Sequence, residues 1–137
     1  MPGQIVVLVA TAMIEKNGKY LVLKRSKNNI TNKDKWQFPE GKVRFGENVL
    51  KALKREVEEE TNLVVVDAKL LGINSSILKI GGGLFRMFRT VFKCKTLGKV
   101  KLSEDHEEYA WVDRKSLNKL NFIEGFHSND IISVKKI

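Results

Sequence analysis

Three glutamates near the middle of the chain have a spacing that suits metal binding. Glu56, Glu59 and Glu60 stand at positions i, i+3 and i+4, so on a helix their carboxylates emerge on one side. Like charges at this spacing destabilise a helix by roughly a few tenths of a kcal/mol per pair, and folding alone does not require them. Mg²⁺ and Mn²⁺ take oxygen ligands, carboxylates among them. A hard-cation site is therefore one interpretation of the cluster.

A second interpretation of the same glutamates is a solvated acidic helix face, because Lys51, Lys54 and Arg55 lie nearby and would relieve the repulsion. The whole chain has 25 Lys+Arg against 16 Asp+Glu, a net charge of +9. This charge favours polyanionic partners such as nucleic acid or phosphorylated metabolites. A bound metal would reconcile the acidic cluster with the positive net charge of the chain, because the carboxylates bind the metal, the metal binds phosphate and the basic residues attract the substrate. Spacing and charge leave both interpretations open.

The glutamates need a rigid element, and apolar residues at helical spacing predict a helix over residues 47–61. Leu50, Leu53 and Val57 fall within one stripe, which we expect to face the core. Glu58 points away from the three clustered glutamates and is expected at the surface.

Strand patterns surround this helix. Residues 5–14 and 20–26 predict two strands, joined by the tight turn that Asn17-Gly18 favours. Residues 63–80 and 84–94 are rich in branched and aromatic side chains and flank three glycines, which predicts a long hairpin. Further predicted elements are a strand at 107–113, one or two helical turns at 114–120 and a C-terminal helix from residue 128 or 129. The mixture predicts an α/β (α+β) sandwich built on a mixed sheet.

The composition fits one domain, since the chain has 137 residues of which 42% are apolar, enough for a single core. The apolar start lacks a basic leader and is interrupted by polar residues, so we expect a cytoplasmic protein without a membrane segment. Cys94 cannot form an internal disulfide, and His106 and His127 are the only histidines. These counts disfavour a Cys/His metal site and a cysteine nucleophile.

Residues 41–63 resemble the Nudix box, G-x5-E-x7-R-E-U-x-E-E-x-G-U, in which U is aliphatic. The match consists of Gly41, Glu47 and the run Arg55-Glu56-Val57-Glu58-Glu59-Glu60-Thr61-Asn62-Leu63. Asn62 replaces the last glycine, and asparagine tolerates the left-handed backbone that this position commonly needs. Glu40, just before the box, stands where many relatives carry glycine. The segments WQFPEG and EEYAWV extend the resemblance over most of the chain, so residues 1–137 are expected to form one Nudix domain.

The resemblance implies an α/β/α Nudix sandwich and hydrolysis of a nucleoside diphosphate linked to another group, with Mg²⁺ or Mn²⁺ as cofactor. The segment KWQFPEGKVRFGEN resembles the MutT-like group, which cleaves nucleoside triphosphates, including oxidised ones, to the monophosphate and pyrophosphate. Alternatives are hydrolysis of ADP-ribose or dinucleoside polyphosphates, and a non-catalytic module that binds a nucleotide or RNA. A small nucleotide is the favoured partner over nucleic acid, and the resemblance is compatible with a homodimer.

The resemblance also implies roles for individual residues. The implied metal ligands are Glu56, Glu59, Glu60, the backbone carbonyl of Gly41 and a further acid on a later strand, best matched by Glu108. Glu56 is the first choice for general base and Glu59 the second. Some members take the base from a later loop, which here holds Glu104, Asp105, Glu107 and Glu108. Arg55 would orient Glu56, and Glu47 would support the loop or bind metal through water.

Four more residues are candidates for substrate binding, each with a competing structural role. Arg25 resembles a phosphate-contacting arginine, although Lys24 in that role, or a surface role for Arg25, competes. Asn129 loosely resembles an asparagine that contacts the base, but the role of a helix cap is favoured over base contact. Trp36 and Phe38 would either stack on a nucleobase or pack beside the neighbouring proline.

Overall fold

The structure is a computed structural model that describes residues 4–29 and 33–123. Within these residues the chain forms β1 (Gln4–Lys16), β2 (Lys19–Arg25), β3 (Trp36–Gln37), β4 (Glu40–Lys42), α1 (Val49–Thr61), β5 (Val64–Ile80), β6 (Gly83–Leu97), β7 (His106–Asp113) and α2 (Arg114–Leu117). Neither of these two helices is long and apolar enough to cross a membrane. Asn129 and the predicted C-terminal helix lie outside the described residues.

Strands β1 and β2 form the first predicted hairpin. Asn17 and Gly18 have φ angles of 52° and 78°, and a type I′ turn needs positive φ at both central positions. Lys16 pairs with Lys19 on either side of this turn. The predicted asparagine–glycine turn is therefore confirmed.

One mixed sheet positions the glutamate helix and the loop before it. Its strand order is β3-β2-β1-β6-β5, with β4 paired to β1 and β7 paired to β2. β1 runs parallel to β6 and antiparallel to β4. The short strand that contains Gly41 is therefore anchored on the central strand, and the predicted α/β class with a mixed sheet is confirmed.

Strands β5 and β6 form the long hairpin predicted around the three glycines. Their pairing extends from Val64 opposite Leu97 to Ile80 opposite Gly83. The second strand runs to Leu97, past the predicted end at residue 94, because residues 95–97 continue to pair with the start of β5.

Helix α1 begins at Val49 and not at residue 47 as predicted. The reason is local: the Asn48 side chain accepts a hydrogen bond from the Lys51 N–H at 2.8 Å and caps the helix, which excludes Glu47 from the first turn. At the other end, Asn62 has a φ of 66°, and its N–H donates to the Glu58 carbonyl at 2.9 Å. The left-handed backbone predicted for Asn62 is confirmed.

The helix packs on the sheet through Leu53 and Val57, which are fully buried in a cluster with strands β1, β2, β5 and β6. Leu50, however, is 47% exposed, so the prediction that it faces the core is wrong. It lies in the first turn at the edge of the stripe, beside the exposed Lys54. Ala52, on the other edge of the stripe, is fully buried in its place. The helix is thus rotated slightly towards the side that carries Ala52 and Glu56.

Candidate active site

Arg55 lies at the centre of the predicted carboxylate cluster. Its Nε and Nη2 donate to both oxygens of Glu47 at 2.8 and 2.9 Å, which is a two-point ion pair. Its Nη1 donates to Glu56 at 2.6 Å and to Glu59 at 3.3 Å. Nη2 also donates to the Lys42 carbonyl at 3.0 Å. One guanidinium therefore ties the loop to two helix carboxylates.

Glu47 completes this arrangement from the loop side. Its Oε1 accepts the Arg44 N–H at 2.9 Å, so the carboxylate both closes the loop and holds Arg55. The hydrogen bond from Arg55, with that from the Arg44 backbone, lowers the pKa of Glu47 to about 2. Glu47 is thus ionised throughout the neutral range.

Gly41 is in direct contact with Glu56. A Cβ at position 41 would overlap the Glu56 carboxyl carbon and its Oε2, so only glycine leaves room for this carboxylate. The contact places Glu56 Oε2 against the loop backbone, while Oε1 is held by Arg55. Burial raises the pKa of Glu56, and the hydrogen bond from Arg55 opposes that rise.

Glu60 is held by the residue before Gly41. The backbone N–H of Glu40 donates to Glu60 Oε1 at 3.0 Å. Burial raises the pKa of Glu60 well above its ordinary value; this hydrogen bond opposes the rise, and the charges of Glu56, Glu40 and Asp105 add to it. A divalent cation next to these acids would reverse that balance, because it favours the ionised carboxylates.

The carboxylates on α1 fit a hard cation in an open arrangement. Glu56, Glu59 and Glu60 each use one oxygen in the hydrogen bonds above, so the second oxygen of each is the candidate ligand. Across residues 4–29 and 33–123, no three acidic, histidine or cysteine side chains are gathered closely enough to enclose a metal by themselves. Mg²⁺ commonly keeps waters and substrate phosphates among its ligands. The all-oxygen donor set therefore fits a divalent cation that the substrate helps to hold.

A cleft of about 300 Å³ opens beside these acids, and Glu40, Gly41 and Glu60 line it. Its lining also includes the apolar residues Val7, Val9, Leu78, Ile80, Phe85 and Met87. Ligand sites combine apolar walls with a few polar groups that fix orientation. The cleft thus has room for a nucleobase or sugar next to the carboxylates.

Arg25 and the two aromatic candidates have different surroundings. Arg25 lines the cleft, and its Nη1 donates to Gln37 at 2.8 Å. Trp36 is half-buried and packs on a second apolar cluster. Phe38 is only 2% exposed, with its ring 5.5 Å from that of Phe122. The suggestion that Phe38 stacks on a nucleobase is therefore wrong, because its ring has a packing partner and no open face.

The acidic residues of the later segment lie in different surroundings. Glu108 is exposed on β7 opposite Lys24. Asp105, in contrast, is close enough for its charge to raise the pKa of Glu60. The backbone bonds from Lys101 to Thr61 and from Ser103 to Glu60 bring this loop to the end of α1.

Two buried polar groups were missed by the sequence interpretation. Arg89 on β6 is 2% exposed and forms an ion pair with Glu40 at 3.0 Å. His106 is 4% exposed, and within the described chain neither of its ring nitrogens has a hydrogen-bond partner. The one available signal was Glu40 itself, because an acid next to a buried strand requires a compensating base.

Comparisons with known proteins agree with this geometry. The NUDIX domain family model matches residues 4–129. Over 111 residues the chain is 35% identical to the ADP-ribose pyrophosphatase of Methanocaldococcus jannaschii, a match that covers 80% of this chain and 63% of that protein. The chain thus spans less than two thirds of the length of that curated relative.

Two solved structures share the fold. The MutT protein of Methanosarcina mazei Go1 superimposes with a TM-score of 0.74 at 28% identity, covering 92% of this chain and 90% of that one. The MutT NUDIX hydrolase of Burkholderia pseudomallei gives a TM-score of 0.72 at 27% identity, with coverages of 80% and 84%. Since the family model matches nearly the whole chain and the fold and box geometry agree with it, the chain belongs to the Nudix family.

Proposed function

We propose that this protein is a pyrophosphohydrolase that uses Mg²⁺ or Mn²⁺ to cleave a nucleoside triphosphate to the monophosphate and pyrophosphate. The observation that carries the proposal is the position of the Glu56 carboxylate. It lies against Gly41 on one side and accepts a hydrogen bond from Arg55 on the other. Similarity to two MutT structures supports the triphosphate as substrate.

The proposed chemistry needs a positioned base and a place for the cation. When bound, the cation would neutralise charge on the phosphate oxygens and lower the pKa of a coordinated water. Glu56, Glu59, Glu60 and the Gly41 carbonyl would hold it, with Glu108 as a further candidate. Glu56 would accept a proton from the attacking water as its oxygen bonds to phosphorus and the phosphoanhydride bond breaks.

Two features of the side chains favour Glu56 over Glu59 as base. The Glu56 side chain is 16% exposed and fixed between two neighbours, whereas that of Glu59 is 51% exposed and makes longer contacts, 3.3 Å to Arg55 and 4.0 Å to Arg44. A base must be held within reach of the proton that it accepts. Asp105 is a third candidate because it lies near Glu60. Arg25, on the wall of the cleft, would contact phosphate.

ADP-ribose is the second candidate substrate. The observation in its favour is the 35% identity to the archaeal ADP-ribose pyrophosphatase. Both substrates contain the same pyrophosphate linkage, so the same carboxylates would serve either reaction, and the cleft would accept a different second group.

One experiment tests the activity and ranks the substrates. The protein is incubated with Mg²⁺ or Mn²⁺ and a panel of ordinary and oxidised nucleoside triphosphates, ADP-ribose, dinucleoside polyphosphates and triphosphorylated RNA, and the products are identified. We expect Glu56→Gln to lower kcat by about 10²-fold or more. Glu58→Gln is the matched control, because Glu58 is exposed on the same helix.

Absence of turnover of every panel member, or equal activity of parent and Glu56→Gln, would refute the proposal. In that case a non-catalytic role in binding nucleotide or RNA would be the better description. RNA affinity measured against salt concentration would test it, because phosphate contacts make binding weaken steeply as salt rises.

A further inference from the structure

The Glu40–Arg89 ion pair is the most unusual feature of the cleft. Arg89 Nε donates to Glu40 Oε1 at 3.0 Å, and both Nε and Nη2 lie 3.3 Å from Oε2. The Thr11 hydroxyl donates to the same Oε1 at 2.8 Å. The two charged side chains are 2% and 11% exposed, so the pair is shielded from water.

Ordinary packing does not account for an arginine at this position. On β6 the other residues that line the cleft are Phe85 and Met87, and Val91, two positions after Arg89, is buried in an apolar cluster. A buried ion pair is on average no more stabilising than apolar residues of similar size. Stability of the sheet therefore gives no reason for Arg89, and its contact with Glu40 does.

Glu40 connects this pair to the carboxylates on α1. Its side chain is fixed by Arg89 and Thr11, and its main-chain N–H holds Glu60 Oε1 at 3.0 Å. The next residue is Gly41, whose backbone supports Glu56. A shift of the Glu40 side chain would move the peptide that holds both glutamates.

We infer that Arg89 is a positioning residue for the metal site, which acts through Glu40 to fix Glu60 and Glu56. Arg89 also supplies a positive charge at a place where Glu40 adds a fourth carboxylate to the three on α1. This inference rests on the proposed metal-dependent function, but it concerns the geometry of the ligands and can be measured without substrate.

The test compares Mn²⁺ affinity of the parent, Arg89→Met, Glu40→Gln and the double variant Glu40→Gln/Arg89→Met. Isothermal titration without nucleotide gives the affinities, and thermal unfolding shows that each variant is folded. We expect Arg89→Met to weaken Mn²⁺ binding by about 10-fold or more. Because Arg89 acts through Glu40, we expect the double variant to bind Mn²⁺ as Glu40→Gln alone does.

Arg86→Met is the matched control. Arg86 lies on the same strand but is exposed on the opposite face, where Nη1 donates to the Ser75 hydroxyl at 3.3 Å. We expect it to bind Mn²⁺ like the parent. In turnover assays, the Arg89→Met defect should shift the Mg²⁺ concentration for half-maximal activity more than the KM for nucleotide.

A folded Arg89→Met variant with Mn²⁺ affinity within about twofold of the parent, well below the loss expected of a metal-site supporting residue, would overturn the inference. So would a double variant that binds Mn²⁺ clearly more weakly than Glu40→Gln alone. If Arg89→Met does not fold, Arg89→Lys decides: it keeps the charge but loses the two-point contact, so weaker Mn²⁺ binding supports positioning and unchanged binding overturns it. A parent protein that binds Mn²⁺ but hydrolyses nothing would refute the proposed function. The Mn²⁺ affinities of the parent and its variants would still decide this inference.

Discussion

His106 predicts a specific dependence of stability on pH. Its imidazole is buried with both nitrogens unpaired in the described structure. Burial, and to a lesser degree the charge of Arg25, lowers its pKa from 6.5 to about 4, while Asp105 acts in the opposite direction. The folded state therefore disfavours the charged imidazole, and replacement of His106 by leucine removes that penalty.

The sign and size follow from proton linkage. Between pH 6.5 and 4 the unfolded chain binds a proton at His106 that the folded chain does not, so stability falls as pH falls. From pH 7.5 to pH 4.5 this single group is expected to remove about 2.5 kcal/mol of unfolding free energy. Above pH 7.5 its contribution is constant, since both states are neutral there.

Urea unfolding of the parent and His106→Leu at pH 7.5 and pH 4.5 measures this effect. The carboxylates with raised pKa, Glu56 and Glu60, titrate in both proteins, so the difference between the two pH dependences isolates His106. We expect the parent to lose about 2.5 kcal/mol more than the variant on acidification. Equal losses, or an NMR titration midpoint of His106 near 6.5, would refute the reasoning.

Two further substitutions test the site and the core. Gly41→Ala places a methyl group where the Glu56 carboxylate lies, and we expect kcat to fall by about 10²-fold. Gly82→Ala is the control, because its methyl group meets no atom within 4 Å, and it should retain activity. Equal losses of activity in the two variants would contradict the explanation. Leu53→Ala should lower the free energy of unfolding by about 2–5 kcal/mol. Leu50→Ala, at a half-exposed position, should lower it by less than about 1 kcal/mol. Urea unfolding of the two variants measures the difference.

Local patterns in the sequence predicted the parts of the fold that local interactions determine. Asn17-Gly18 predicted a turn because few residues accept two positive φ angles, and Asn62 predicted the helix end for the same reason. The helix start was misplaced because Asn48 and Glu47 are both acceptors, and the backbone geometry decides which of them caps the helix. Leu50 was misassigned because periodicity defines a stripe but not how far the sheet extends beneath it.

The residues of the candidate site also differ in how far the sequence could predict them. The family pattern identified Arg55 and the three glutamates of α1, since their spacing lies within one helix. It could not identify Arg89, which is 49 positions from Glu40, or the burial of His106. Those contacts depend on which strands become neighbours, and the parallel pairing of β1 with β6 has no local signal in the sequence.

The Glu40–Arg89 pair has a consequence for anyone who redesigns the cleft. Loss of either partner alone leaves a buried charge, which typically costs about 3–5 kcal/mol, comparable to a large part of the stability of a small domain. A library that varies the two positions independently would mostly yield destabilised chains. Positions 40 and 89 should therefore be exchanged together, as matched charges or matched apolar residues, when the cleft is altered for a new substrate.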